Sequence, residues 1–138
     1  MESPLLETGK ADAVVGFEIL ETARAIPLLK RNGSVIVNMK YIPPNCMGSG
    51  VKPKKIEELM AILRAKAVVH EVDGADIAEK LGNILVVNTI LLGALSALPE
   101  IPVKEAFFEQ AIASRLKEKY INLNLKAFKL GRESVLKS

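Results

Sequence analysis

The chain has 138 residues, which fits one domain with a real buried core. At 49% hydrophobic and 25% charged it is composed like a folded globular protein, and with 4% aromatic residues and no Trp its packing falls to aliphatic side chains and Ala. A single cysteine, Cys46, excludes an internal disulfide and an iron–sulfur cluster held by this chain alone, which needs about four thiolates; the net charge of +3 excludes little.

Residues 1–10 have no apolar signal core. ADAVVGFE (11–18) predicts a short buried strand whose end is marked by Gly16. ILETARAIPLLKR (19–31) has a helical period, with Ile19, Ala23, Ile26 and Leu29 on one face, and Pro27 is expected to kink or shorten the helix. Asn32-Gly33 reads as its stop, and SVIVN (34–38) as a second strand. Residues 39–53, rich in Pro and Gly, are a long loop, and KKIEELMAILRAK (54–66) is an amphipathic helix. AVVHEVD (67–73) is a third strand. Asp73 then has the place of an N-cap, and Gly82 of a C-cap, for a helix over 74–82.

The run from Ile84 to Leu98 is uncharged and carries one amide, Asn88. It falls short of the roughly 20 residues of a membrane-spanning helix and is closed by Pro99, so it predicts a helix packed on all sides, with Asn88 either bonded to a loop or a neighbouring chain or capping a loop within this domain. Pro102 suits the first turn of a long helix over 102–120, and LNLKAFKLG (123–131) a final short helix ending at Gly131 before a frayed tail. Strands alternating with helices imply a parallel sheet with right-handed crossovers.

Charge is uneven. From Arg115 onward seven basic residues stand against two acids, a local +5. That is either a solvated helix surface or a docking site for a phosphate or an acidic protein. No nucleic-acid motif or aromatic stacking platform accompanies it.

Site chemistry is sparse. There is no phosphate-binding glycine motif, and Gly-Ser-Gly at 48–50 reads as a flexible turn. Cys46, in a loop far from the lone His70, has no evident base, and no metal-ligand spacing occurs. From the residues alone, this is an α/β domain without a self-contained active site.

Five phrases in one order carry a resemblance: KADAVVGFEILETARAIPLLKRNGSVIVN (10–38), YIPP (41–44), GNILVVNTILLGAL (82–95), LPEIPVKEAFFEQAI (98–112) and NLNLKAFKLG (122–131). Together they resemble the gamma subunit or domain of the 2-oxoacid:ferredoxin oxidoreductases, most of all the beta subunit of indolepyruvate ferredoxin oxidoreductase. The resemblance implies one gamma-type domain over residues 1–138, a three-layer Rossmann-like α/β fold with a mostly parallel sheet and a helix-rich C-terminal half. Family members open with a strand and a Gly-rich turn of the G-x-G-G-Q-G type. Neither is in this sequence, so the resemblance also implies a domain partial at its N-terminus, with that first unit missing.

It further implies a non-catalytic subunit in a complex that decarboxylates a 2-oxoacid (indolepyruvate or pyruvate type) to an acyl-CoA. No cofactor is expected on this chain. Thiamine diphosphate and iron–sulfur clusters are expected on partner subunits, CoA in the complex, and ferredoxin as an indirect partner. A cytoplasmic location, no membrane or nucleic-acid contact, and some self-association through uncovered strand edges are also expected. Asn88 and Gly93 fall on the family's N-x-x-x-x-G-A, Asn124 and Phe128 on its N-x-x-A-F-x-x-G, and these four are the candidate interface residues. Two alternatives remain: a stand-alone nucleotide- or CoA-binding module, and an inactive truncated relic.

Overall fold

The structure is a computed structural model describing residues 5–40 and 56–137; Cys46, the Y-I-P-P segment and Gly-Ser-Gly at 48–50 lie outside the described residues. Two compact units divide the chain after Val69.

The first unit contains β1 (Ala11–Gly16), α1 (Ile19–Ala25), a 3-10 turn (Ile26–Leu28), β2 (Leu29–Asn38), α2 (Ile56–Lys66) and the start of β3 (Val68–Val72). The sheet has the order β1-β2-β3. β1 and β2 are parallel, with Val14 opposite Val35 and Gly16 opposite Val37, so the chain has the expected α/β class. Ile19, Ile26, Val35, Val37, Leu59 and Leu63 form the core of this unit. Ile36 points to the other face of β2 and is also buried, as the β-branched run predicts for a strand covered on both sides.

The helix expected over 19–31 ends at Ala25. Pro27 cannot donate the next helical bond, the chain tightens into the 3-10 turn, and Leu29 opens β2. Asn32-Gly33 therefore lies inside a strand and stops no helix. Asn32 has a φ of 61°, and the register steps from Ala11–Leu29 to Ala13–Ser34, so β2 carries extra residues in a bulge.

The second unit holds α3 (Gly74–Leu81), a 3-10 turn (Ile84–Val86), α4 (Val87–Ser96), α5 (Glu105–Arg115) and α6 (Glu118–Leu136). The caps of α3 are as expected: Asp73 accepts from the Asp76 amide at 3.0 Å, and Gly82 is left-handed with φ 82°. Among the described residues no helix is long and apolar enough to cross a membrane.

The C-terminal helices differ from expectation. The one expected over 102–120 spans only α5, and a corner at Leu116-Lys117, extended at both residues, separates it from α6. No Gly, Pro or side-chain cap marks that corner. α5 folds back on α6, where the Phe108 and Phe128 rings meet at a tilt of 31° with centroids 5.8 Å apart and Ile112 is buried. α6 runs 19 residues without a break, through Gly131 and the tail expected to fray.

Candidate interaction surface

α4 and α6 touch along residues at helical spacing, which on α4 are small and polar. On α4 these are Thr89, Gly93 and Ser96; on α6 they are Asn124, Phe128 and Arg132. Thr89 Oγ1 donates to Asn124 Oδ1 at 2.7 Å, and Asn124 Nδ2 donates to the Tyr120 carbonyl at 2.9 Å, which satisfies both ends of the amide. A Cβ on Gly93 would collide with the Phe128 carbonyl, and one on Gly131 with the Ile90 carbonyl. Each helix thus supplies a glycine for the other's backbone to approach, an arrangement that admits only residues without a side chain.

The seam ends in a polar clamp. Arg132 Nη1 donates to the Ser96 carbonyl at 2.9 Å and to Ser96 Oγ at 3.2 Å, and its Nε pairs with Glu105 Oε2 at 3.3 Å. One guanidinium so ties α4 and α5 to α6, using the forked geometry peculiar to arginine.

The four candidates therefore fall into two groups. Gly93 and Phe128 meet inside the seam, and Asn124 closes one end of it. Asn88 does not join them. It lies on the exposed side of α4, and the segment expected to be packed on all sides is open there: Ile84 is 62% exposed and Leu85 84%. The uncharged sequence falls into two parts: the 3-10 turn, whose Ile84 and Leu85 are bare, and α4, whose Ile90, Leu91, Gly93 and Ala94 are buried. Thr89, Ser96 and Arg132 have no role in the sequence reading and Gly131 only that of a helix end, although the i, i+4, i+7 spacing of small residues in α4 is a readable sign of close helix approach.

The first unit has a cleft of about 210 Å³ where β1 meets α1, lined by Gly16, Phe17, Glu18 and Thr22 among others. In open α/β folds the ends of strands are where ligands usually bind. Here the first turn of α1 is already occupied, because the Glu18 carboxylate accepts from the Leu20 and Glu21 amides at 3.2 and 3.0 Å. Gly16 at the end of β1 makes room for the Thr22 side chain. Asn38 Nδ2 holds the turn by donating to the Phe17 carbonyl at 3.1 Å. No group of three or more His, Cys, Asp or Glu side chains among the described residues could hold a metal ion. One cysteine does not fit a cluster that needs about four thiolates.

Comparison with known proteins adds a family to this geometry. Residues 2–134 match the family described as pyruvate ferredoxin/flavodoxin oxidoreductase. The chain is 35% identical over 129 residues to indolepyruvate oxidoreductase subunit IorB of Methanothermobacter thermautotrophicus, covering 92% of this chain and 66% of that protein. It is 34% identical over 133 residues to the subunit of the same name from Archaeoglobus fulgidus, covering 95% and 66%. The chain thus spans just under two thirds of the length of these curated relatives. Among solved structures it resembles the gamma subunit of a keto/oxoacid ferredoxin oxidoreductase from Geobacter sulfurreducens, with a TM-score of 0.67, 24% identity, and coverage of 94% of this chain and 67% of that one. It also resembles pyruvate oxidoreductase subunit PORC from Thermotoga maritima, with a TM-score of 0.64, 22% identity and coverage of 91% and 64%.

Proposed function

Because this chain belongs to the pyruvate ferredoxin/flavodoxin oxidoreductase family, we propose that it is a gamma-type, non-catalytic subunit of a 2-oxoacid:ferredoxin oxidoreductase of the indolepyruvate class. The observation that carries the reading is the 35% identity to an indolepyruvate oxidoreductase subunit along 92% of the chain. The family match runs through both compact units, in keeping with a single gamma-type domain.

In this reading the chain lends structure, and partner subunits lend chemistry. They carry the thiamine diphosphate and the iron–sulfur clusters, CoA binds within the complex, and electrons leave to ferredoxin in the cytoplasm. The self-capped turn at Glu18 favours this over a stand-alone nucleotide- or CoA-binding module, since the amides that would face a phosphate are already bonded. The bare patch formed by Ile84 and Leu85 of the 3-10 turn and Asn88 in the first turn of α4 is the proposed contact of the second unit with a partner.

Reconstitution tests it. The chain is mixed with the thiamine- and iron–sulfur-carrying subunit encoded nearest to it, and CoA-dependent viologen reduction is followed with indolepyruvate, phenylpyruvate and pyruvate. Activity in the mixture and in neither component alone is expected, with the aryl acids preferred. A chain that neither binds that subunit nor changes its rate is no working subunit.

A further inference from the structure

The seam fixes which side of α6 faces inward, and the opposite side has a charge pattern that neither the fold nor the proposed function uses. Asn124, Ala127, Phe128, Gly131 and Val135 turn toward the protein. On the far side, Lys119, Asn122, Lys126 and Lys129 follow one another at steps of three and four residues and are all exposed. At 1.5 Å per residue they make a stripe about 15 Å long.

Lys126 and Lys129 make no ion pair among the described residues. The inward-turning Arg132 is paired with Glu105, and the one acid further along the outer face, Glu133, is paired with Lys137. Leu130, 36% exposed, lies just past the C-terminal end of the stripe. The segregation extends to the whole chain. Residues 115–138 carry seven basic and two acidic residues, +5, and the other 114 carry twelve and fourteen, −2.

We propose that this outer face of α6 docks an acidic surface of the partner oxidoreductase subunit, a deepening that rests on the subunit reading above. Unpaired cations at helical spacing complement carboxylates on a facing surface. They speed encounter and set register more than they add affinity. A nucleic acid fits less well, since the stripe has no aromatic stacking platform and only Tyr120 lies near it, beneath Lys119 at 4.9 Å.

The test uses the full chain and the neighbouring thiamine- and iron–sulfur-carrying subunit, with Kd measured by calorimetry at about 0.05 M and about 0.3 M salt. Three proteins are compared: the native chain, K126E/K129E, and K10E/K40E, which makes the same charge change at exposed lysines of the first unit. The expected result is Kd raised about tenfold or more by K126E/K129E at low salt, little change for K10E/K40E, and native binding that weakens with salt. If the complex forms and K126E/K129E binds as the native chain does, the docking surface is wrong and the subunit reading stands. If none of the three binds, both fall. If the subunit is ignored and a DNA duplex binds the native chain but not K126E/K129E, the stripe is a nucleic-acid surface instead.

Discussion

Gly93 of α4 sits directly against the carbonyl of Phe128 in α6, and no side chain can occupy the space between them. Gly93→Ala would gain about 1 kcal/mol of helix propensity, yet overpacking a closed contact costs about 1–3 kcal/mol or more, and here the obstacle is backbone that cannot swing aside. The expected outcome is a net loss of about 2 kcal/mol for Gly93→Ala, and the same for Gly131→Ala, by urea unfolding. Gly82→Ala is the contrast. Nothing lies within 4 Å of its missing Cβ, so its cost of about 1 kcal/mol comes from the left-handed φ alone.

Thr89→Val keeps the shape of the side chain and removes the donor to Asn124 Oδ1. A half-buried carbonyl oxygen left without its partner costs about 1–2 kcal/mol, so a loss of that size is expected by chemical denaturation. Asn124→Leu, which removes both the acceptor and the bond to Tyr120, is expected to lose at least as much.

Arg132→Lys keeps the positive charge and loses the fork that reaches Ser96 and Glu105 together. A loss of about 1 kcal/mol is expected, with Arg132→Gln no more than modestly worse, since the ion pair is partly solvated. Equal stability of native and Arg132→Lys chains would show that charge, and not geometry, closes the seam.

The bare patch at the entry to α4 should behave in the opposite way. Leu85→Glu and Asn88→Leu replace exposed residues and are expected to leave stability within about 0.5 kcal/mol. Both are expected to weaken assembly with the partner subunit by about tenfold, read by co-purification and calorimetry. Equal loss of folding and assembly in Asn88→Leu would remove the interface reading of that residue.

Lys80 supplies a pH signature on α3. Its hydrogen bond to Asp76, and then the charge of that carboxylate, raise the ammonium pKa above the ordinary 10.5. The folded value is the higher one, so the contribution is complete below the unfolded pKa and fades as pH rises through the raised folded value. The expected outcome is that Asp76→Asn brings the Lys80 titration, followed by NMR, back toward 10.5 and removes its contribution to the pH slope of stability in that alkaline window.

What was legible in the sequence was local chemistry. Asp73 and Gly82 bracket α3 because an Asx side chain and a left-handed glycine act on their own few residues. β1 and β2 announce themselves by β-branched runs. The reading failed where two forces compete. Ile19, Ala23, Ile26 and Leu29 keep a helical period past Ala25, but Pro27 has no amide to give, and the period continues on a strand. The corner at Leu116-Lys117 has no local signal, since it is made by Phe108 and Phe128 packing across it. Gly131 looks like a cap because a missing Cβ serves both a left-handed turn and a close approach, and only a partner such as Ile90 tells them apart. Gly93 was readable as a site of close approach. Asn88 was not readable as exposed, because apolar neighbours look the same whether they fill a core or await another chain.

The reciprocal glycines have a kinetic consequence. Each backbone approach exists only while both α4 and α6 are wound, so neither helix can unwind alone without losing the contact of the other. The pair should open as one cooperative block. Amide deuterium exchange near Ala94 and Arg132 is then slow and shares one opening rate, while the amides of the outer turns of α3 and α5 exchange first.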